Sequence, residues 1–172
     1  MPEPTLDKAR TDARPIVLRK PVAEDGPAVS ALVGACPPLD ENSRYCNLLQ
    51  CTDFSDTCIV AERAGQVVGW VSGYRLPAQP ETLFVWQVAV RPDARGEGLG
   101  KRMLLALLER MSGSGVNGLR TTVTRANQAS RRMFRSIASS LDAPLSESRY
   151  FDSGRHFGGR NESEYLIEIG RF

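Results

Sequence analysis

Histidine and lysine are almost missing from this chain of 172 residues, which holds one histidine, His156, and three lysines, Lys8, Lys20 and Lys101. A single imidazole excludes a multi-histidine metal centre. The four cysteines, Cys36, Cys46, Cys51 and Cys58, match neither a zinc-ribbon nor a thioredoxin spacing, so no metal is expected, and free thiols in a reducing cytoplasm are. Charge of one sign is also scarce. The formal net charge is +2, too small to point to a nucleic-acid partner. No apolar run reaches the length of a membrane span. Residues 1–14 are polar, carry Pro2 and Pro4 and contain no apolar signal core, which predicts a flexible arm of a cytoplasmic protein. There is no internal repeat or low-complexity tract. The remaining 15–172, in a chain that is 41% apolar and 24% charged, predicts one domain with a continuous core.

What is present is an alternation of β-type and helical patterns. Pro15 to Arg19 and Thr57 to Glu62 read as strands, and Val67 to Tyr74 follows the latter across Ala64-Gly65, a hairpin turn. Asp25 to Cys36 and Ser43 to Gln50 read as helices, the first stopped by Pro37-Pro38. Thr82 to Val90 is the central strand. Gly98 to Met111 is a helix with Leu99, Met103, Leu104, Leu107, Leu108 and Met111 on one side. Leu119 to Thr124 predicts a strand, Asn127 to Ser139 a helix and Tyr165 to Ile169 a closing strand. The fold class is therefore mixed α/β.

Between the central strand and its helix lies Arg95-Gly96-Glu97-Gly98-Leu99-Gly100. Glycines allow close backbone approach to an anion, and the first helical turn leaves unpaired N–H groups at the positive end of the helix dipole, so this is a phosphate cradle in outline. The dinucleotide fingerprint fails by spacing, since Lys101 or Met103 stands where its last glycine belongs. A Walker A loop fails because Arg95 and Arg102 occupy its fixed positions. What remains is Arg-x-x-Gly-x-Gly, on Arg95, Gly98 and Gly100.

That pattern, after a strand ending Val88-Ala89-Val90 and before a helix, resembles the coenzyme A motif of the GNAT superfamily of N-acetyltransferases. The resemblance implies a mixed, mostly antiparallel central sheet flanked by helices, with acetyl-CoA as co-substrate. It implies cofactor contacts along Val88, Ala89 and Val90 and from Arg95, Gly96, Glu97, Gly98, Leu99, Gly100 and Lys101. It also implies that the strand bulges and parts from its neighbour, leaving the Val88 N–H facing the thioester oxygen. Asn127 is either a coenzyme A contact or a helix cap. The superfamily's general acid is a tyrosine in Asn-x-x-Ala-x-x-Leu-Tyr; this chain reads Asn127-Gln128-Ala129-Ser130-Arg131-Arg132-Met133-Phe134, and Phe134 is expected in the core. Tyr45 and His156 are the substitute candidates for proton transfer.

Three further segments, Cys36-Pro37-Pro38 through Cys51, Phe84 through Val90 and Arg155-His156-Phe157-Gly158-Gly159-Arg160, resemble the L-2,4-diaminobutyrate acetyltransferases of ectoine biosynthesis over nearly the whole chain after residue 15. The implied reaction acetylates the 4-amino group of L-2,4-diaminobutyrate, in a homodimer. A substrate with two ammonium groups and one carboxylate calls for acidic and basic contacts. Asp40 and Glu162 are assigned to the amines, Arg44 or Arg155 to the carboxylate, and Trp86 with Tyr45 to the aliphatic stem, with Gln87 beside them. His156 is a proton acceptor or a substrate hydrogen bond. Each has a plainer alternative: Asp40 a cap, Trp86 core, Glu162 a solvated charge. Another amine substrate, or a non-catalytic acetyl-CoA-binding regulator, would carry the same cradle.

Overall fold

A computed structural model describes residues 14–172. The expected arm, apart from Arg14, lies outside the described residues. Seven strands, β1 Val17–Arg19, β2 Ile59–Arg63, β3 Gln66–Leu76, β4 Gln79–Val90, β5 Gly118–Thr124, β6 Leu145–Phe151 and β7 Glu164–Gly170, form one sheet in the order β1-β2-β3-β4-β5-β7-β6. Every pairing is antiparallel except β4 with β5, so the expected mixed, mostly antiparallel sheet is present. The helices are α1 Gly26–Gly34, α2 Arg44–Cys51, α3 Leu99–Met111, α4 Gln128–Ser140 and α5 Ser153–Phe157.

Local chemistry explains the boundaries. The β2–β3 turn places both Ala64 (φ 54°) and Gly65 (φ 77°) in the left-handed region, the geometry that lets a two-residue hairpin follow the strand twist. Ser43 caps α2 by accepting a hydrogen bond from the Cys46 N–H at 3.1 Å. Helix α1 is shorter than its pattern predicts, because the Asp25 carboxylate is turned to Arg19 and Cys36 already belongs to the bend leading into Pro37-Pro38. Two elements escape the sequence patterns. Strand β6 pairs with β7 alone, is exposed after Leu145 and is polar from Ser146 to Arg149 before ending in Tyr150-Phe151, so it shows no apolar alternation. Helix α5, five residues capped by Asp152, is too short for a helical period.

The core is two layers, one on each face of the sheet. Leu99, Met103, Leu104 and Leu107 of α3, with Phe134 and Ile137 of α4, pack on Leu83, Val85, Leu119, Val123 and Ile167. The opposite face buries Val29, Leu32 and Val33 of α1 with Trp70, Val60, Ala89 and Cys36, Cys51 and Cys58. Phe134 is 2% exposed, as expected of a core residue. All four cysteines are free thiols.

Candidate active site

Strand β4 holds the geometry together. Its register with β3 runs Val90↔Gly69 to Gln87↔Ser72, then skips Trp86 and resumes at Val85↔Gly73. This β-bulge reverses the side-chain alternation. Leu83 and Val85 face α3 and α4 before it, and Val88 and Val90 face them after it, while Trp86 is left 48% exposed on the other face.

On its other edge β4 pairs with β5 only from Thr82 to Phe84. Beyond Phe84 the strands part, and the Thr121 hydroxyl, donating to the Val85 carbonyl at 3.0 Å, fills the apex. The Arg91 N–H donates to Val68 at 2.9 Å, so by antiparallel alternation Ala89 and Gln87 also turn their N–H groups toward β3. Val88 and Val90 therefore aim theirs into the gap, where no strand answers them.

Helix α3 begins at the mouth of this gap. Gly96 (φ 83°) and Gly98 (φ 68°) are left-handed, and a Cβ on either would meet nothing within 4 Å; the backbone face is open. Gly100 is tight instead, a Cβ there falling 2.8 Å from Met133 Sδ and 3.4 Å from Val88 Cγ1, so α3 and α4 close on β4 through it. The first-turn N–H groups of α3 have no intrahelical acceptor. Side chains around the cradle serve its shape. Arg95 Nε donates to Val90 O at 2.9 Å, Glu97 accepts from Arg63 at 3.1 Å, Lys101 Nζ donates to Ser136 Oγ at 2.7 Å, and Leu99 is core. Asn127 Oδ1 accepts from the Ser130 N–H at 3.1 Å, capping α4.

On the Trp86 face lies an aromatic cleft of about 670 Å³, lined by Phe54, Tyr74, Phe84, Trp86, Tyr150 and Phe151 with Gln50, Thr122, Leu166 and Arg120 among the others. Tyr74 stacks 5.2 Å from Phe84 and meets Trp86 edge-on at 6.3 Å. Burial pushes the Tyr74 hydroxyl up, so it keeps its proton and can donate a hydrogen bond into the cleft. Arg120 is paired with Glu168 at 2.5 Å.

Of the residues assigned from the sequence, Trp86 lines this cleft. Gln87 is 6% exposed and acts on the loop before α2, accepting from Asn42 Nδ2 at 2.9 Å and donating to the Asp40 carbonyl at 2.6 Å. Asp40, Arg44 and Tyr45 are exposed on that loop and α2, outside the lining. Arg155, His156 and Glu162 are also exposed and outside it, though the His156 ring meets the edge of Phe151 at 5.7 Å. His156 Nδ1 accepts from the Asp152 N–H at 2.7 Å, which assigns the neutral ring's proton to Nε2. Sequence reading missed Tyr74, Phe84, Arg120, Tyr150 and Phe151 as cleft walls; the one visible signal was Tyr150-Phe151 at the end of a polar run.

Relatives fit this geometry. The acetyltransferase (GNAT) family model matches residues 28–138. The L-2,4-diaminobutyric acid acetyltransferase of Methylotuvimicrobium alcaliphilum is 48% identical over 157 residues, 91% of each chain. That of Halomonas elongata is 44% identical over 162 residues, 94% of this chain and 84% of the relative. The structure of diaminobutyrate acetyltransferase EctA from Paenibacillus lautus, in complex with L-2,4-diaminobutyric acid and coenzyme A, superposes with a TM-score of 0.88 at 39% identity, covering 92% of this chain and 96% of that one. With its parted strands, glycine cradle and these relatives, the chain belongs to the GNAT acetyltransferases and, within them, to the L-2,4-diaminobutyric acid acetyltransferases.

Proposed function

We propose that this protein transfers the acetyl group of acetyl-CoA to the 4-amino group of L-2,4-diaminobutyrate, the acetylation step of ectoine biosynthesis. The observation that carries the reading is the parting of β4 from β5 after Phe84, with the Gly96–Gly100 cradle at its mouth and the aromatic cleft behind it. The cradle holds the coenzyme's diphosphate on the backbone N–H groups of α3. The acyl arm lies in the gap in place of a strand, and the Val88 N–H meets the oxyanion that forms when the amine attacks the thioester. The acceptor enters from the Trp86 side, and fixing its α-amino and α-carboxyl end leaves the terminal amine to reach the carbonyl.

An amine with a pKa of about 10.4 is neutral in about one molecule in 10³ at pH 7, so deprotonation costs about 4 kcal/mol. The leaving thiolate, with a pKa of about 8.5, departs without a dedicated acid and takes up, directly or through water, the proton that the attacking nitrogen releases, which accommodates Phe134 in its core position. With Nδ1 occupied by the Asp152 N–H, His156 serves as a donor to substrate through Nε2 and not as the proton acceptor. Asp40 and Glu162 supply the negative rim for the ammonium groups, Arg44 or Arg155 meets the carboxylate, and Tyr45 flanks the entrance. Residues 15–172 form the one catalytic domain. The protein works as a cytoplasmic homodimer, as its resemblance to the diaminobutyrate acetyltransferases implies. Among the described residues no helix is long and apolar enough to cross a membrane.

The test is mass spectrometry of the purified protein incubated with acetyl-CoA and L-2,4-diaminobutyrate. Fragmentation should place one acetyl group on the 4-amino nitrogen. No transfer, or a 100-fold preference for another amine, refutes the assignment. In the same assay kcat/KM should rise with pH on a single ascending limb as the amine deprotonates. His156→Ala should raise KM for diaminobutyrate about tenfold, the loss of one hydrogen bond to a charged group, and leave that limb in place; loss of the limb would restore His156 as the base.

A further inference from the structure

Two buried glutamine amides of this fold meet opposite fates. Gln87 uses both ends, accepting from Asn42 Nδ2 at 2.9 Å and donating to the Asp40 carbonyl at 2.6 Å. Gln50, on α2 and 2% exposed, uses neither: Oε1 and Nε2 are both without a partner, as are both ends of Asn47 one turn earlier. Side chains three apart on a helix are neighbours, yet these two amides do not bond one another. A buried polar group that gives up water and gains no protein partner is the exception in a folded chain, and an apolar side chain of the same length would serve packing better. Gln50 also faces an opening. With Gly73 and Leu166 it forms the buried floor of the aromatic cleft, whose walls are half-buried or exposed. Gly73 pairs with Val85, the last residue before the bulge at Trp86, so the floor lies against the stretch of β4 that has already left β5.

That floor is neutral. Arg120 is the one charged side chain lining the cleft and is taken by Glu168 at 2.5 Å, and among the described residues no carboxylate lines it. An ammonium group seated there would exchange water for surroundings without a counter-charge, which disfavours the charged form. An uncharged amine has another need: with its lone pair aimed at a carbonyl carbon, its N–H groups require acceptors, and an amide oxygen accepts without taking the proton. We propose that Gln50 receives the reacting amine in its uncharged form, Oε1 accepting one N–H of the 4-amino group so that the lone pair points to the thioester carbonyl. Both ends of the amide are free, so it can turn to present its oxygen. The 4-ammonium gives its proton to solvent before seating; attack on the carbonyl carbon, expulsion of the thiolate and loss of the second proton then run as above, and Gln50 keeps its bond to the N–H that remains. The α-ammonium group, charged throughout, stays at the acidic rim. This rests on the diaminobutyrate reading above and extends it to the protonation state in which that substrate is held. The other titratable groups facing the floor are Tyr74 and Tyr150, the Arg120–Glu168 pair and, on α2, the thiols of Cys46 and Cys51, which burial pushes up.

The experiment has an arm on the wild type and an arm on Gln50. Calorimetric titration of L-2,4-diaminobutyrate into the wild type saturated with coenzyme A should show about one proton released per molecule bound at pH 7, and an affinity that rises about tenfold per pH unit between about pH 6 and about pH 7.5. L-Homoserine, with a neutral hydroxyl where the substrate has its 4-amine, should bind with an affinity independent of pH and no more weakly than diaminobutyrate at pH 7. In wild-type kinetics the ascending limb should appear in kcat/KM and not in kcat. Gln50→Met, which fills the same space, should keep or raise Tm and lower kcat/KM about tenfold. Gln50→Glu gives an ammonium its counter-charge: at pH 7 the KM for diaminobutyrate should fall, kcat should drop at least about tenfold, and kcat should acquire an ascending limb of its own. Diaminobutyrate binding that does not change with pH, or homoserine binding about a hundredfold more weakly, overturns the uncharged seat. Undiminished kcat/KM in Gln50→Met, or in Gln50→Glu a kcat that is raised or remains flat with pH, overturns the role of Gln50; should Gln50→Glu fail to fold, Gln50→Met and the wild type decide. Absence of acetyl transfer to the 4-amino nitrogen by the wild type overturns the diaminobutyrate reading as well.

Discussion

Arg19 donates two hydrogen bonds of 2.7 Å to the carboxylate of Asp25, which also accepts from the Val22 N–H at 2.8 Å. The side chain of Asp25 is 9% exposed, and the Arg19 guanidinium holds its carboxyl below the usual range. A carboxyl whose folded pKa is depressed stabilises the fold above its unfolded value near 3.9 and ceases to do so as pH falls through the folded value. Asp25→Asn should therefore cost about 2 kcal/mol at neutral pH, and the gap to wild type in denaturant unfolding should close below about pH 4. A constant gap across that range would show that shape and not charge matters here. The thiols make the opposite case. Burial pushes Cys51 up to about 11 and Cys58 up to about 12, so neither forms a thiolate near neutrality. A thiol reagent at pH 8 should label the partly exposed Cys46 first and reach Cys51 and Cys58 only on unfolding; early labelling of either would contradict their burial.

Element boundaries depend on a few conformations that single residues permit. Gly98 enters α3 at φ 68° with open space where a Cβ would stand, so Gly98→Ala carries no clash and acts through backbone strain alone. It should lower stability by about 1 kcal/mol and raise the dissociation constant for coenzyme A, measured by calorimetry, by a larger factor than this strain explains, because the added methyl projects from the cradle's open face. An unchanged dissociation constant would remove Gly98 from the site. These features were legible beforehand: the glycine spacing, the leucine stripe of α3 and the Ala64-Gly65 turn all follow from local periodicity and φ preferences. Strand β6 was not, since Ser146, Glu147, Ser148 and Arg149 carry no pattern and the strand exists because β7 offers it an edge. Nor was the bulge at Trp86, which needs the register with β3 to be seen.

At the scale of the whole molecule, the proposed donor site is enclosed by β4, the N-terminus of the α3 that follows it, and the stripe of the later helix α4 carrying Met133 and Ser136. Binding there should stabilise the fold as a unit. At coenzyme A concentrations about 100 times its dissociation constant the gain is about 2.7 kcal/mol, which for a chain of this size is a rise in Tm of about 5–10 °C. Thermal unfolding with and without coenzyme A checks it, and no shift would refute a site built from all three.

The sequence by itself determined the fold class, the glycine-rich turn at residues 95–100 and the acetyltransferase lineage, because each rests on local periodicity or on spacing within one segment. Only the tertiary structure decided which way the Val88 N–H points, which aromatic side chains line the cleft on the Trp86 face, and that Gln87 braces the loop at Asp40. Those depend on strand register and on where β4 leaves β5, and register is a relation between segments that no single stretch of residues contains.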